Sequence, residues 1–193
     1  MKAVGIDLAG VESRPTGLCL MDGNLHVSTC VLHTDDEIIR KTLDNSPDIV
    51  AIDAPLALPL GRKSLTKRSN VHLRECDREL LRMRIKFFPI TLGPMRQLTE
   101  RGIQIIADLE ENGLKVIETY PVGAQDILHI PRKKKGLGGL AEGLHSVGIE
   151  GFQSGASGDE LDAVTCAFVV ILYLQGKYRA IGDPDEILMI LPT

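Results

Sequence analysis

The 193-residue chain has no tryptophan, and aromatic residues make up only 4% of it. Cysteine is scarce as well. Cys19, Cys30, Cys76 and Cys166 are scattered, with no CxxC pair and no Cys/His cluster, which excludes a zinc-finger arrangement. They read as buried free thiols. Cys19 and Cys30 can face each other on a hairpin, but a reducing compartment argues against a bridge. No run of about 18 apolar residues occurs, so no membrane-spanning helix is expected. The opening Met1-Lys2-Ala3-Val4 passes straight into a strand pattern with Gly5 and Asp7 inside it. That is not a signal peptide, and a cytoplasmic protein is expected. Internal repeats and low-complexity linkers are absent too. What remains is 44% hydrophobic and 25% charged, and long enough for a substantial core in a single domain, 1–193.

A net charge of −4 says nothing by itself for nucleic acid, but the charge is segregated. Residues 62–86 carry nine Lys/Arg against three acids, and Arg132-Lys133-Lys134-Lys135 form a basic tetrad. Segregation of this kind suggests a polyanionic partner. Arg74, Arg78 and Arg82 recur at a spacing of four, on one helix face. With Arg62, Lys63, Arg132, Lys133 and Lys134 they are candidate phosphate contacts. The plainer reading is a solvated helix face and a solvated loop. Phe87, Phe88 and Tyr120 can stack on bases or pack in the core.

Along the chain, Lys2–Leu8, Thr16–Met21 and Leu25–His33 read as three strands joined by short turns, an antiparallel meander. A helix over 35–44 follows, with Thr34 and Glu37 as a capping box. Ile49-Val50-Ala51-Ile52-Asp53 is a continuous apolar run, as in a parallel strand covered on both faces. The proline-rich 54–61 is a loop. Helices are predicted over 70–84, from the stripe Leu73, Cys76, Leu80 and Met83, and over 95–112, ended by Gly113. A strand over 114–119 and helices over 121–128 and 136–147 come next. Ser157 and Glu160 form a second capping box for an all-round apolar helix over 158–175. Ile187–Leu191 is a last strand. This order gives an α/β protein with a mixed sheet of five or slightly more strands and helices on both faces. Residues 57–112 form a helical, basic insertion.

Acids stand where a core would not place them. Asp7 lies in the first strand, Asp53 ends the fourth and Glu118 ends the fifth. Asp159 and Asp162, at i and i+3, open the apolar helix on one face. A buried carboxylate without a partner costs several kcal/mol or takes up a proton. Acids at neighbouring strand ends point into the crevice at the sheet's edge. Several of them together stay ionised only if cations neutralise them, and oxygen ligands select Mg²⁺ or Mn²⁺. Two such ions roughly 4 Å apart suit in-line displacement at phosphorus. Each acid also has a simpler role. Asp7 and Asp53 can serve turns, Glu118 can pair with Arg96 or Arg101, and Asp159 suits a helix N-terminus. Asp77 is either a surface partner of Arg78 or a further site residue. His72, His129 and His145 stand isolated, and Ser157 is better explained as a cap than as a nucleophile.

The strand order and the places of Asp7, Asp53 and Asp159/Asp162 resemble those of ribonuclease H-like nucleases. The Asp-x-x-Asp pair is similar to that of RuvC-type resolvases. Nearly the whole chain resembles the domain-of-unknown-function 429 family of predicted RNase H-like nucleases. The matching stretches are Gly5-Ile6-Asp7-Leu8-Ala9-Gly10, Ile52-Asp53-Ala54-Pro55-Leu56, Arg74-x-Cys76-Asp77-Arg78-Glu79-Leu80, Thr91-Leu92-Gly93-Pro94-Met95, Glu118-Thr119-Tyr120-Pro121 and Ser157-Gly158-Asp159-Glu160-Leu161-Asp162-Ala163.

The resemblance implies an RNase H-like fold and a metal-dependent nuclease acting on RNA, DNA or a junction. Asp7 would bridge two ions, Asp53 would hold one, and Asp159 and Asp162 the other. Glu118 would be an outer ligand or would orient one. Two rivals stand beside this reading. Gly5–Gly10 also resembles the first phosphate loop of actin-like sugar kinases, which would make the chain a small phosphotransferase, although no second domain is visible. The other is a non-catalytic nucleic-acid-binding module. A homodimer is compatible with the sequence.

Overall fold

Strand β1 (Lys2–Asp7) is buried from Ala3 to Ile6, so side chains on both of its faces need cover. A computed structural model of Met1–Thr193 shows how the chain provides it. β2 (Thr16–Asp22) pairs antiparallel with β1, and β3 (Val27–Leu32) pairs antiparallel with β2, which completes the expected meander. After helix α1 (Asp35–Asn45), β4 (Ile49–Asp53) lies parallel to β1 on its other side. β5 (Val116–Thr119) lies parallel to β4. Two further strands extend the sheet. β6 (Tyr178–Ile181) is antiparallel to β7 (Met189–Pro192), which is parallel to β5. The order is β3-β2-β1-β4-β5-β7-β6, seven strands in all. β6 escapes sequence reading because Arg179 and Ala180 are exposed on this edge strand, which leaves no apolar pattern.

The remaining helices are α2 (Glu75–Arg82), α3 (Gly93–Glu111), α4 (Pro121–Ile127), α5 (Leu137–Ser146) and α6 (Gly158–Leu174). Side chains alternate across the sheet, and two cores follow from that. Ala3, Cys19, Ala51 and Ile117 face α6, with α4 and α5 outside it. Val4, Ile6, Leu18, Val50 and Ile52 face α1 and α3. Every residue of α6 from Leu161 to Ile171 is buried, which accounts for its all-round apolar sequence. Its capping box forms as expected, and Glu160 also accepts a hydrogen bond from Thr29 in β3. The capping box of Thr34 and Glu37 likewise starts α1.

Glycine sets how closely α6 approaches. A Cβ on Gly5 would lie 2.1 Å from the Ala163 carbonyl oxygen, and one on Gly17 would lie 2.0 Å from that of Asp159. These contacts are with backbone, which cannot swing aside. The two glycines therefore bring the N-terminal half of α6 down onto β1 and β2.

The segment 57–112 has two parts. α3 is a core helix, with Ile105, Ile106 and Leu109 buried against the sheet. The stretch before it lies over the end of the sheet, where Cys76 and Leu80 of α2 pack on Ile181, Met189 and Leu191. The helix predicted over 70–84 begins only at Glu75. Arg74 is its N-cap, in extended backbone, because the Asp77 carboxylate accepts from the Arg74 N–H. Strand register settles the cysteines. Cys19 stands opposite Thr29 and Cys30 opposite Leu18, so they do not face each other, and all four thiols are free. No helix is long and apolar enough to cross a membrane.

Candidate active site

β1 and β4 end level with each other, and Asp7 and Asp53 are register partners there. Both alternate with Gly5 and Ala51, so both belong to the α6 face. The close approach at Gly5 and Gly17 sets the first turns of α6 beside them. Lys133, in a single 3-10 turn (Lys133–Lys135), reaches into the group. Its Nζ lies 2.8 Å from Asp162 Oδ2, 3.2 Å from Asp159 Oδ1 and 3.3 Å from Asp7 Oδ2. Three carboxylates from two elements thus converge on one ammonium. Asp162 is the deepest, at 2% side-chain exposure, and Asp159 the most open, at 36%. Gln125 of α4, which sequence reading missed, donates from Nε2 to Asp162 Oδ1 at 2.7 Å and to Thr165 Oγ1 at 3.1 Å. Its neighbours in the sequence offer no signal for this role.

The electrostatics follow from crowding. Burial, opposed by Lys133 and reinforced by Asp162 and Asp159, raises Asp7 to about 7. Burial, with Asp7 and Asp162 adding, holds Asp53 well above the usual carboxylate range. Burial would lower Lys133, but Asp7 and Asp162 outweigh it and hold the ammonium well above the ordinary lysine range. The lysine remains charged while Asp7 and Asp53 resist ionisation, because burial outweighs the single positive charge beside them.

Glu118 makes no ion pair with Lys133 but lines the same cavity as Asp53 and Asp162. It stands opposite Ile52, one residue short of Asp53, and therefore takes the other face of the sheet. There Arg74 holds both its oxygens, at 2.6 and 2.7 Å, and the Leu56 N–H donates to Oε2 at 2.8 Å. Glu118 is paired with an arginine, but Arg74 rather than Arg96 or Arg101. Arg101 instead braces the loop after β1, donating to the Ala9 and His33 carbonyls and pairing with Asp35. Asp77 is also buried and bound to Arg74, so it is neither a surface partner nor free for a ligand.

Several expected phosphate contacts are placed otherwise. Arg62 is buried and donates to the carbonyls of Val71, Leu65 and Lys67, closing its own loop. Arg74 is consumed by Glu118. Arg78 and Arg82 are exposed and share Glu75, each at 3.0 Å. Arg132 pairs with Asp126. Lys63 and Lys134 are exposed with no ion pair. The sequence signal in each arginine was its charge, and burial reversed its meaning for Arg62 and Arg74.

A cavity of about 240 Å³ opens beside the carboxylates. Asp53, Asp162 and Lys133 line it together with Arg74, Asp77 and Glu118, and Phe87, Phe88 and Tyr120 add aromatic surface. Phe88 is 70% exposed. Tyr120 donates its hydroxyl to the Lys86 carbonyl, and burial with Asp53 nearby raises it to about 12.

The donor set of Asp7, Asp53, Asp159 and Asp162 is all oxygen and suits a hard divalent cation. As arranged, no three His, Cys, Asp or Glu side chains are close enough together to hold a metal ion. The reason is visible at Lys133. Contacts of 2.8–3.3 Å fit an ammonium, whereas Mg²⁺ draws oxygens to about 2.1 Å. The carboxylates fit a metal in chemistry and number, and they are spread to fit a lysine.

Comparison with known structures places the fold. RuvC of Thermus thermophilus in complex with a Holliday junction substrate superposes with a TM-score of 0.56 at 13% identity, covering 91% of this chain and 97% of that one. Another structure of Thermus thermophilus RuvC gives 0.51 at 13% identity, with the same coverage. The fold is ribonuclease H-like. No match was found among curated proteins. The model of the family described as "Protein of unknown function (DUF429)" matches residues 5–187, and the chain belongs to that family.

Proposed function

We propose that the protein is a divalent-metal-dependent nuclease that hydrolyses phosphodiester bonds in RNA, DNA or a nucleic-acid junction. One observation carries the reading: Asp7, Asp159 and Asp162, from separate parts of the chain, converge on a single cation, with Asp53 in register beside Asp7. Asp7, Asp53, Asp159 and Asp162 would hold Mg²⁺ or Mn²⁺. When bound, such an ion neutralises charge at the scissile phosphate and activates water for attack at phosphorus. The chain's own part is positional. The sheet fixes Asp7 and Asp53, α6 fixes Asp159 and Asp162, and Gln125 orients Asp162 by a buried hydrogen bond. Exposed Lys63 and Lys134, with Phe88 at the cavity mouth, supply charge and a stacking surface for a strand. RuvC bound to a Holliday junction supports nucleic acid as the partner class.

Purified protein with Mn²⁺ should cleave at least one substrate in a panel of single-stranded, duplex and branched RNA and DNA, and Asp7→Asn should abolish cleavage. An intact panel together with no measurable Mn²⁺ binding would sink the proposal. One observation favours a second reading, a non-catalytic nucleic-acid-binding module: Lys133 already gives three of the carboxylates a cation. Salt-dependent binding without cleavage, surviving chelation and Asp7→Asn, would select that reading.

A further inference from the structure

A lysine ammonium has three N–H donors and no acceptor. Lys133 directs them at three carboxylates, with contacts of 2.8, 3.2 and 3.3 Å. The side chain is built into this place. Lys135 and Gly136 close the 3-10 turn by donating to the carbonyls of Arg132 and Lys133, and the preceding Arg132 is anchored to Asp126. The lysine stem runs over Gly158, the first residue of α6, where an added Cβ would lie 3.1 Å from Lys133 Cδ. A lysine that was merely solvated would need neither the anchored turn nor the glycine. Asp53, by contrast, makes no ion pair with Lys133 and no side-chain hydrogen bond, although it stands level with Asp7. The four acids are therefore divided unequally. Asp159 and Asp162 are committed to the lysine, Asp7 is shared, and Asp53 is free.

We propose that Lys133 is the resident second cation of this site, standing where a second divalent ion would otherwise bind, so that the protein takes one exchangeable divalent ion, held by Asp7 and Asp53. The inference rests on the nuclease reading, and it goes further in replacing a two-metal site by one metal and one lysine. Lys133 is then a positioning residue. It offsets the repulsion between Asp159 and Asp162, and it offers a fixed positive charge to a phosphate oxygen without having to be captured from solution.

Metal stoichiometry tests this without substrate or turnover. Titration of the full chain with Mn²⁺, followed by the electron paramagnetic resonance of free Mn²⁺ and by calorimetry, should give one ion per chain in the wild type. Lys133→Met should give two, and Lys133→Arg should remain at one. Lys133→Gln, which keeps a polar end without the charge, should also give two and serves if Lys133→Met does not fold, as judged by circular dichroism. Two ions in the wild type, or an unchanged count in both neutral variants, would overturn the lysine proposal and leave the nuclease reading standing. No Mn²⁺ bound by the wild type or by either neutral variant would overturn both.

Discussion

Arg74 grips Glu118 at both oxygens, Nη1 to Oε2 at 2.6 Å and Nη2 to Oε1 at 2.7 Å, and both side chains are buried. The pair ties the start of α2 to the end of β5, and the Leu56 N–H on Oε2 fixes the loop after β4 to the same carboxylate. Removing one partner of such a pair leaves an uncompensated buried charge, at a cost of about 3–5 kcal/mol. Arg74→Ala and Glu118→Ala should each lose that much stability in urea unfolding. The double variant Arg74→Met/Glu118→Leu should recover part of the loss, because neither charge is then stranded. A change below about 1 kcal/mol in both single variants would return Arg74 to the surface role its sequence pattern suggests.

Gly17 and Gly5 set the geometry of the carboxylate cluster through backbone. Each faces an α6 carbonyl that an added Cβ would reach at 2.0–2.1 Å. Overpacking of this kind costs about 1–3 kcal/mol, and more where backbone must move. Gly17→Ala should lower the melting temperature and also weaken Mn²⁺ binding, since Gly17 is the register partner of Asp7. Gly113→Ala is a control of another kind. It has a positive φ of 81° and open space, so it should cost stability through backbone strain and leave Mn²⁺ affinity unchanged. Equal metal affinity in Gly17→Ala and the wild type would break the link between this contact and the site.

The Asp7 carboxyl should make stability pH-dependent. Its pKa is raised from 3.8 to about 7, chiefly by burial. Between those values the folded protein keeps a proton that the unfolded chain has released. The stability that this group contributes is therefore fully present below about 3.8 and is lost as pH rises through about 7, a span on the order of 4 kcal/mol. Asp7→Asn removes this slope. The melting temperature of the variant minus that of the wild type should rise from pH 5 to pH 8 in metal-free buffer. Mn²⁺ affinity of the wild type should increase over the same interval, since the ion binds the ionised acid and displaces the proton. Parallel melting curves across that range would show that Asp7 does not carry the effect.

Strands and capped helices were legible because their signals are local. The run Ile49–Asp53, the capping boxes at Thr34 and Ser157, and the wholly apolar α6 each predicted what formed. Asp7, Asp159 and Asp162 were also legible as acids out of place, and the structure brings them together on Lys133. What stayed hidden depends on register and on partners distant in sequence. Glu118 looked equivalent to Asp53 at the end of its strand. A one-residue offset between β4 and β5 turns it to the opposite face, and no local pattern encodes that offset. Arg62 and Arg74 looked like neighbours of Lys63 and Arg78 in a basic stretch. Their burial depends on carbonyls and a carboxylate that only the folded loop supplies. Lys133 looked like one cation among four, and its place among the acids depends on how α6 approaches the sheet.

The same division predicts how nucleic-acid binding responds to mutation. Lys63 and Lys134 are exposed and unpaired, whereas Arg62 is buried and spends its donors on three carbonyls. A surface lysine that meets a phosphate releases a counterion on binding, so its loss lowers both the affinity and its salt dependence. Lys134→Ala, close to the carboxylates, should weaken binding of a single-stranded oligonucleotide and reduce the slope of log affinity against log salt by about 1. Phe88→Ala should weaken binding by about 1–3 kcal/mol with no change in slope, since stacking releases no ions. Arg62→Ala should lower the melting temperature and leave the slope as it was. Fluorescence anisotropy in EDTA at several salt concentrations separates the three, and it does so whether or not the strand is cut. If Arg62→Ala reduced the slope while Lys134→Ala did not, the phosphate path would run over the loop at 62–71 instead of past the carboxylates, and the basic tetrad would serve only to seat Lys133.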